Sequence, residues 1–229
     1  MARTALIVGA GDGISASFAR ASAREGFKVG LAARRLDKLA GLRDEIDGLV
    51  FGCDVAQASA VERLFFEVDA QLGALDVVLY NPSYRIRGPL VELDPGEVEK
   101  ALGVSAFGGF LVAQQAARRM LRQGGGAILF TGASASVKGY PHSAAFAMGK
   151  FALRGLAQSM ARELAPQNIH VAHFVIDGGV RSARRQEPKD RPDSLLDPDA
   201  IAEAYLAILE QPRSAWTWEL ELRPWVETF

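Results

Sequence analysis

Short apolar runs alternate along the chain with longer stretches in which apolar residues return every three to four positions. The runs at 5–8, 29–32, 49–51, 77–80, 127–130, 170–176 and 219–222 are short and rich in branched side chains, and they predict seven strands. Helical spacing covers 14–25, 36–46, 57–72, 95–121, 144–164 and 199–210 between them. Strand followed by helix, repeated to the end of the chain, is the pattern of an α/β fold: a doubly wound parallel seven-stranded sheet with helices on both faces. Three acidic residues mark expected helix starts. Asp54 is placed to cap the helix after the third strand, Asp94 before Pro95 reads as an N-cap followed by a first turn, and Asp199 opens the last helix.

Composition narrows the class. The 229 residues are 49% hydrophobic, enough to bury a full core, and one domain over 1–229 is the expectation. Lys plus Arg number 26 against 27 Asp plus Glu, so the formal charge of −1 offers no basic footprint for nucleic acid or an anionic bilayer. The single cysteine, Cys53, has no partner for an internal disulfide, and the first apolar stretch is broken by Gly9, Gly11, Asp12 and Gly13. A cytoplasmic protein without a membrane span is therefore expected. The long polar stretch 181–197 is too short to separate two domains and reads as a substrate lid.

The candidate chemistry begins where the first strand runs into Val8-Gly9-Ala10-Gly11-Asp12-Gly13-Ile14-Ser15 and then a helix. A glycine turn in that setting brings backbone N–H groups and a helix N-terminus up to a pyrophosphate, which makes the sheet Rossmann-like and Gly9, Gly11, Asp12, Gly13 and Ile14 candidate cofactor residues. After the second strand stand Ala33-Arg34-Arg35 rather than an acidic residue. Guanidinium groups there favour a 2′-phosphate, so NADP(H) is expected over NAD(H), with Arg34 and Arg35 as its readers.

These residues resemble the short-chain dehydrogenase/reductase family, whose usual turn is TGxxxGIG; here Val8 stands for the Thr and Ser15 for the last Gly. The resemblance spans nearly the whole chain. Cys53-Asp54-Val55 is similar to the family's adenine-contacting Asp-Val pair, and Tyr80-Asn81-Pro82-Ser83 occupies the place of its Asn-Asn-Ala-Gly, which adds Asp54, Val55 and Asn81 to the implied cofactor residues. Ile176-Asp177-Gly178-Gly179-Val180-Arg181-Ser182 stands at the family's Pro-Gly turn, putting Gly178 and Val180 beside the nicotinamide, with Asp177 a departure.

The resemblance implies four catalytic positions, and this chain departs at three. The family's YxxxK becomes Phe146-Ala147-Met148-Gly149-Lys150: spacing of four keeps both residues on one helix face, but the ionisable hydroxyl is gone. The family's serine falls on Ala133 with Ser134 adjacent, and its helix asparagine falls on Ser105. Lys150 is retained, for catalysis and for the cofactor ribose. Substitute acids are sought in Tyr140 and His142, just before the Phe146 helix, and in Tyr80, Ser83 and Tyr84 after the fourth strand.

Other features read more plainly. His170 and His173 are three apart in a strand, hence on opposite faces, and cannot share a metal; no metal site is expected. The 181–193 stretch has five basic and three acidic residues, fitting either a solvated lid or a receiver for an anionic substrate such as an acyl thioester. Trp216, Trp218, Leu220 and Leu222 alternate with polar residues, giving the last strand an apolar face for burial or subunit contact, and a homodimer or homotetramer is expected. Two functions stay open: an NADP(H)-dependent oxidoreductase acting on a small carbonyl or enone substrate with an incomplete tetrad, or a catalytically inactive cofactor-binding sensor or oligomer partner.

Overall fold

Every strand predicted from the apolar runs pairs into one parallel sheet in the computed structural model, which describes residues 2–228. The strands are β1 (Thr4–Val8), β2 (Lys28–Ala33), β3 (Leu49–Gly52), β4 (Val77–Tyr80), β5 (Gly126–Thr131), β6 (Ile169–Ile176) and β7 (Glu219–Leu222). Their order is β3-β2-β1-β4-β5-β6-β7, so the chain reverses its direction of winding between β1 and β4. Such a switch point leaves a crevice at the C-terminal ends of the strands, where ligands bind in open α/β sheets.

The pleat sorts the core. Leu6, Val8, Val78, Tyr80, Ile128 and Phe130 face α3 (Ala58–Gln71), α5 (Gly108–Gln123) and α6 (Ala144–Leu164). Ala5, Ile7, Leu31, Leu79 and Phe174 face α1 (Ile14–Arg24), α2 (Ala40–Ile46) and α7 (Pro198–Leu209). Alternation of this kind on both faces is what a doubly covered sheet demands. Among the described residues no helix is long and apolar enough to cross a membrane.

The expected helix at 95–121 is interrupted. It forms as α4 (Pro95–Leu102), a π-helical turn at Gly103–Phe107, and α5. The bulge turns Ser105 inward against α6, where a Cβ on Gly149 would lie 2.8 Å from the Ser105 Cβ. Two of the expected caps also differ. Asp94 does accept from the Glu97 N–H at 2.9 Å, but α7 is capped by Asp197, whose carboxylate accepts from the Asp199 N–H at 3.0 Å. Asp54 closes a tight turn on the Ala56 N–H (3.1 Å) ahead of α3, whose cap is Gln57.

Candidate active site

The glycine turn after β1 is shaped by its own chain. Gly9 and Gly13 hold φ angles of 80° and 82°, a region costly to residues with a Cβ. A Cβ on Gly9 would also stand 2.6 Å from the Pro82 nitrogen, so the turn rests directly on the end of β4. Ser15, in place of the family's last glycine, locks that contact: its hydroxyl donates to the Gly9 carbonyl at 3.1 Å and accepts from Asn81 Nδ2 at 2.7 Å. Gly11 is different, because a Cβ there would meet nothing within 4 Å. Its missing side chain leaves open space on the floor of a groove of about 850 Å³.

That groove brings together most of the cofactor residues expected from the sequence. Gly9, Gly11, Asp12, Arg34, Arg35, Asp54, Val55 and Asn81 line it, and Ile14 and Gly13 begin α1 at its edge. Its size and its glycine floor fit a nucleotide cofactor. The sequence reading missed Lys38 and Arg184, which line the same groove; Arg184 arrives with Ser182 and Ala183 from the 181–197 stretch. That stretch is pinned at its base: Val180 pairs with Leu196, and Arg181 meets Asp197 at 2.5 Å.

Across the crevice, β5 and α6 set the second half of the site. The Lys150 ammonium is buried and donates to the Thr131 carbonyl at 2.7 Å, and burial pushes its pKa down to about 8. It stands 6.0 Å from the centre of the Phe146 ring, one helical turn away. The other face-on neighbour of that ring is a residue the sequence reading passed over: the Arg85 guanidinium lies 4.8 Å from the ring centre. An arginine in a loop gives no periodic signal, so only the fold could bring it here.

Most of the candidate hydroxyls are already engaged. Tyr80 is buried and donates to the Val104 carbonyl (2.5 Å), and burial raises its pKa well above the usual phenol range. Tyr84 donates to Glu97 (2.5 Å), while Ser105 accepts from the Tyr84 N–H (3.4 Å) from within its bulge. Ser134 is turned to the Asp177 carboxylate. Ser83, Tyr140 and His142 are exposed, His142 with a φ of 60°.

Asp177, the unexplained departure at the family's Pro-Gly turn, is a buried latch. Its carboxylate meets Lys138 at 3.0 Å and Arg223 at 3.1 Å, joining the loop after β5 to the segment after β7. Burial alone would raise its pKa, but the bonds from Ser134 and Lys138 and the Arg223 charge hold it below the usual range. Gly178 follows with φ 152°, packed so that a Cβ would meet Pro224 at 2.6 Å.

The two strand histidines do lie on opposite faces. His170 stacks on Trp216, ring centres 4.6 Å apart, whereas His173 is buried between Ser136 (Nε2 to Oγ, 3.3 Å) and Glu219 (Nδ1 to Oε2, 3.0 Å). Glu219 accepts a bidentate pair of bonds from one edge of the Arg154 guanidinium, from Nε (2.6 Å) and Nη2 (2.7 Å). Ser136 in turn accepts from the Ala133 N–H at 3.1 Å, so this polar chain ends on the backbone beside Phe146's half of the site. The polar positions of β7 are thus not all solvent-facing, which its alternation alone did not reveal.

The chain belongs to the short chain dehydrogenase family, whose model matches residues 3–192. It is similar to a short-chain dehydrogenase from Rhodopseudomonas palustris, 38% identical, with a TM-score of 0.84 over 97% of this chain and 99% of that one. An alcohol dehydrogenase from the archaeon Thermococcus sibiricus, complexed with 5-hydroxy-NADP, is 28% identical with a TM-score of 0.87, covering 100% and 99%. An uncharacterized oxidoreductase of Staphylococcus aureus strain N315 is 28% identical over 228 residues, 97% of each chain.

Proposed function

We propose that this chain is an NADP(H)-dependent oxidoreductase that moves a hydride to or from a small carbonyl or enone compound, with Phe146 where its family carries a tyrosine and the catalytic tetrad incomplete. A nicotinamide dinucleotide, when bound, supplies or accepts the hydride. The turn from Gly9 to Ile14 would hold its pyrophosphate, Asp54 and Val55 its adenine, Asn81 and Lys150 its nicotinamide ribose, and Gly178 and Val180 its nicotinamide. Lys150 makes one hydrogen bond among the described residues, so its other N–H groups are available to ribose hydroxyls. The NADP(H) preference is supported by Arg34, Arg35, Lys38 and Arg184 on the groove, none with a carboxylate partner among the described residues. It is also supported by the 5-hydroxy-NADP complex of the T. sibiricus relative.

The chemistry rests on one observation: an apolar ring one turn from Lys150, with Tyr80, Tyr84 and Ser134 bonded elsewhere. Carbonyl reduction leaves an alkoxide that needs a proton at once, whereas hydride addition to a conjugated alkene leaves an enolate that water can protonate. An activated alkene is therefore the favoured substrate class. The same scarcity of acids favours the second reading, a sensor or oligomer partner that binds cofactor without turnover. NADPH oxidation with a panel of ketones and enones separates the two. Enone-dependent oxidation supports the enzyme, while tight binding with no turnover supports the sensor.

A cytoplasmic small-molecule enzyme assembled as a homodimer or homotetramer completes the proposal, with no nucleic-acid or membrane partner. Phe107, Phe110, Met148 and Phe151 expose between 40% and 52% of their surface on and beside α5 and α6, an apolar face suited to a second copy. The 181–197 stretch would act as the lid within the single domain 1–229.

A further inference from the structure

Arg85 lies beyond the residues that line the dinucleotide groove, over the Phe146 ring in the substrate half of the crevice. It is not alone there. Arg87 and Arg185 are close enough to act on its charge, and the Arg185 side chain lies against the turn after β6, with Nη1 2.8 Å from where a Gly179 Cβ would stand. The loop carrying Arg85 is fastened to the loop before α6 through the Gly88 N–H and the His142 carbonyl at 3.2 Å. Among the described residues none of the three guanidinium groups has a carboxylate partner. The nearest acid in sequence to Arg185, Glu187, accepts instead from the backbone N–H groups of Asp193 and Leu195, each at 3.2 Å.

Like charges gathered without a counter-ion are unfavourable, and an anion placed among them relieves that repulsion. A guanidinium lying over an aromatic ring keeps its in-plane N–H groups free at the edge, where they match the two oxygens of a carboxylate. From this arrangement we propose that Arg85, helped by Arg185 and Arg87, binds a carboxylate on the substrate, so that the enzyme acts on small carboxylic acids bearing the reducible carbonyl or alkene. This specificity site rests on the functional reading above, since it takes Phe146 to face the substrate. A neutral ketone or enone would leave the three charges uncompensated.

Malonate is the probe, with malonamide as its uncharged counterpart, each titrated by calorimetry into the protein with and without saturating NADPH. Binding of malonate but not malonamide is expected in both states, weakened about tenfold or more by Arg85→Gln and by added salt, and unchanged by Arg34→Gln with Arg35→Gln in the cofactor-free protein. Arg85 is exposed, so the variant should keep the melting temperature and NADPH affinity of the parent. No malonate binding at tens of millimolar, equal affinity in Arg85→Gln, or loss of binding only in the Arg34 and Arg35 variant would overturn the assignment. Failure of NADPH to bind at all, with malonate binding intact and Arg85-dependent, would instead defeat the oxidoreductase reading while leaving the carboxylate site standing.

Discussion

At the β1 side of the crevice the backbone does the shaping: Gly9 and Gly13 adopt positive φ, Gly11 leaves the floor bare, and Ser15 ties the turn to Asn81. At the β5 side, side chains rather than backbone set the site. Lys150 and Phe146 share a helix face, while the hydroxyls of Tyr80, Tyr84 and Ser134 are bonded to Val104, Glu97 and Asp177. Backbone geometry tolerates few substitutions here, because a Cβ on Gly9 would clash with Pro82 and the positive φ of Gly9 and Gly13 disfavours any side chain. A side chain on a helix face can be exchanged with less disturbance to the fold.

Placing a phenol at position 146 tests that contrast with the largest effect. Phe146→Tyr should introduce ketone reduction, and adding Ala133→Ser should raise it further, toward the about 10²- to 10⁴-fold that a positioned acid contributes. NADPH oxidation with a saturated ketone measures it; no gain in either variant would mean that the substrate half differs in more than its acids.

The buried chain behind Ala133 gives a pH signature. Burial depresses the His173 pKa from 6.5 to about 4, opposed by Glu219, so the unfolded chain takes up this proton at a higher pH than the folded one. The stabilisation is present above pH 6.5 and is lost as pH falls toward 4, amounting to about 3 kcal/mol at most. Urea unfolding at pH 7 and pH 4.5 should show this acid limb in the parent and a flatter one in His173→Gln; identical limbs would remove His173 from the account.

On the cofactor side, Arg34→Ala with Arg35→Ala should weaken NADPH binding about tenfold to a hundredfold and leave NADH binding nearly unchanged. Calorimetry decides it, and equal losses for both dinucleotides would assign the arginines to something other than the 2′-phosphate. The smallest effect is expected from Ser15→Ala, about 1 kcal/mol of stability through the lost bonds to Gly9 and Asn81. An unchanged melting curve would show that Gly9 against Pro82 holds the turn unaided.

The strands and the glycine turn were legible because both leave local signatures, short apolar runs between amphipathic stretches or a fixed glycine spacing ahead of a helix. The break in the 95–121 helix was not, since a π-helical turn preserves apolar spacing while shifting it by one residue. Asp177 read as an anomaly because its partners, Lys138 and Arg223, come from distant loops. Arg85 and Glu219 were passed over, and His173 was read only as no metal ligand, for the same reason: each gains its meaning from a residue that only the fold makes a neighbour. Tyr84, a candidate acid by topology, bonds Glu97 instead, a contact its position after β4 could not reveal.

The central claim is that the cofactor half of the crevice works without the family's proton donor. Stopped-flow oxidation of bound NADPH by the unmutated protein, with a carboxylate-bearing enone and its saturated ketone counterpart side by side, tests it most directly. The account predicts oxidation with the enone and none above the protein-free rate with the saturated ketone. Robust reduction of the saturated ketone, surviving in both Tyr140→Phe and His142→Ala, would contradict it by showing that a proton donor is present beside Phe146 after all.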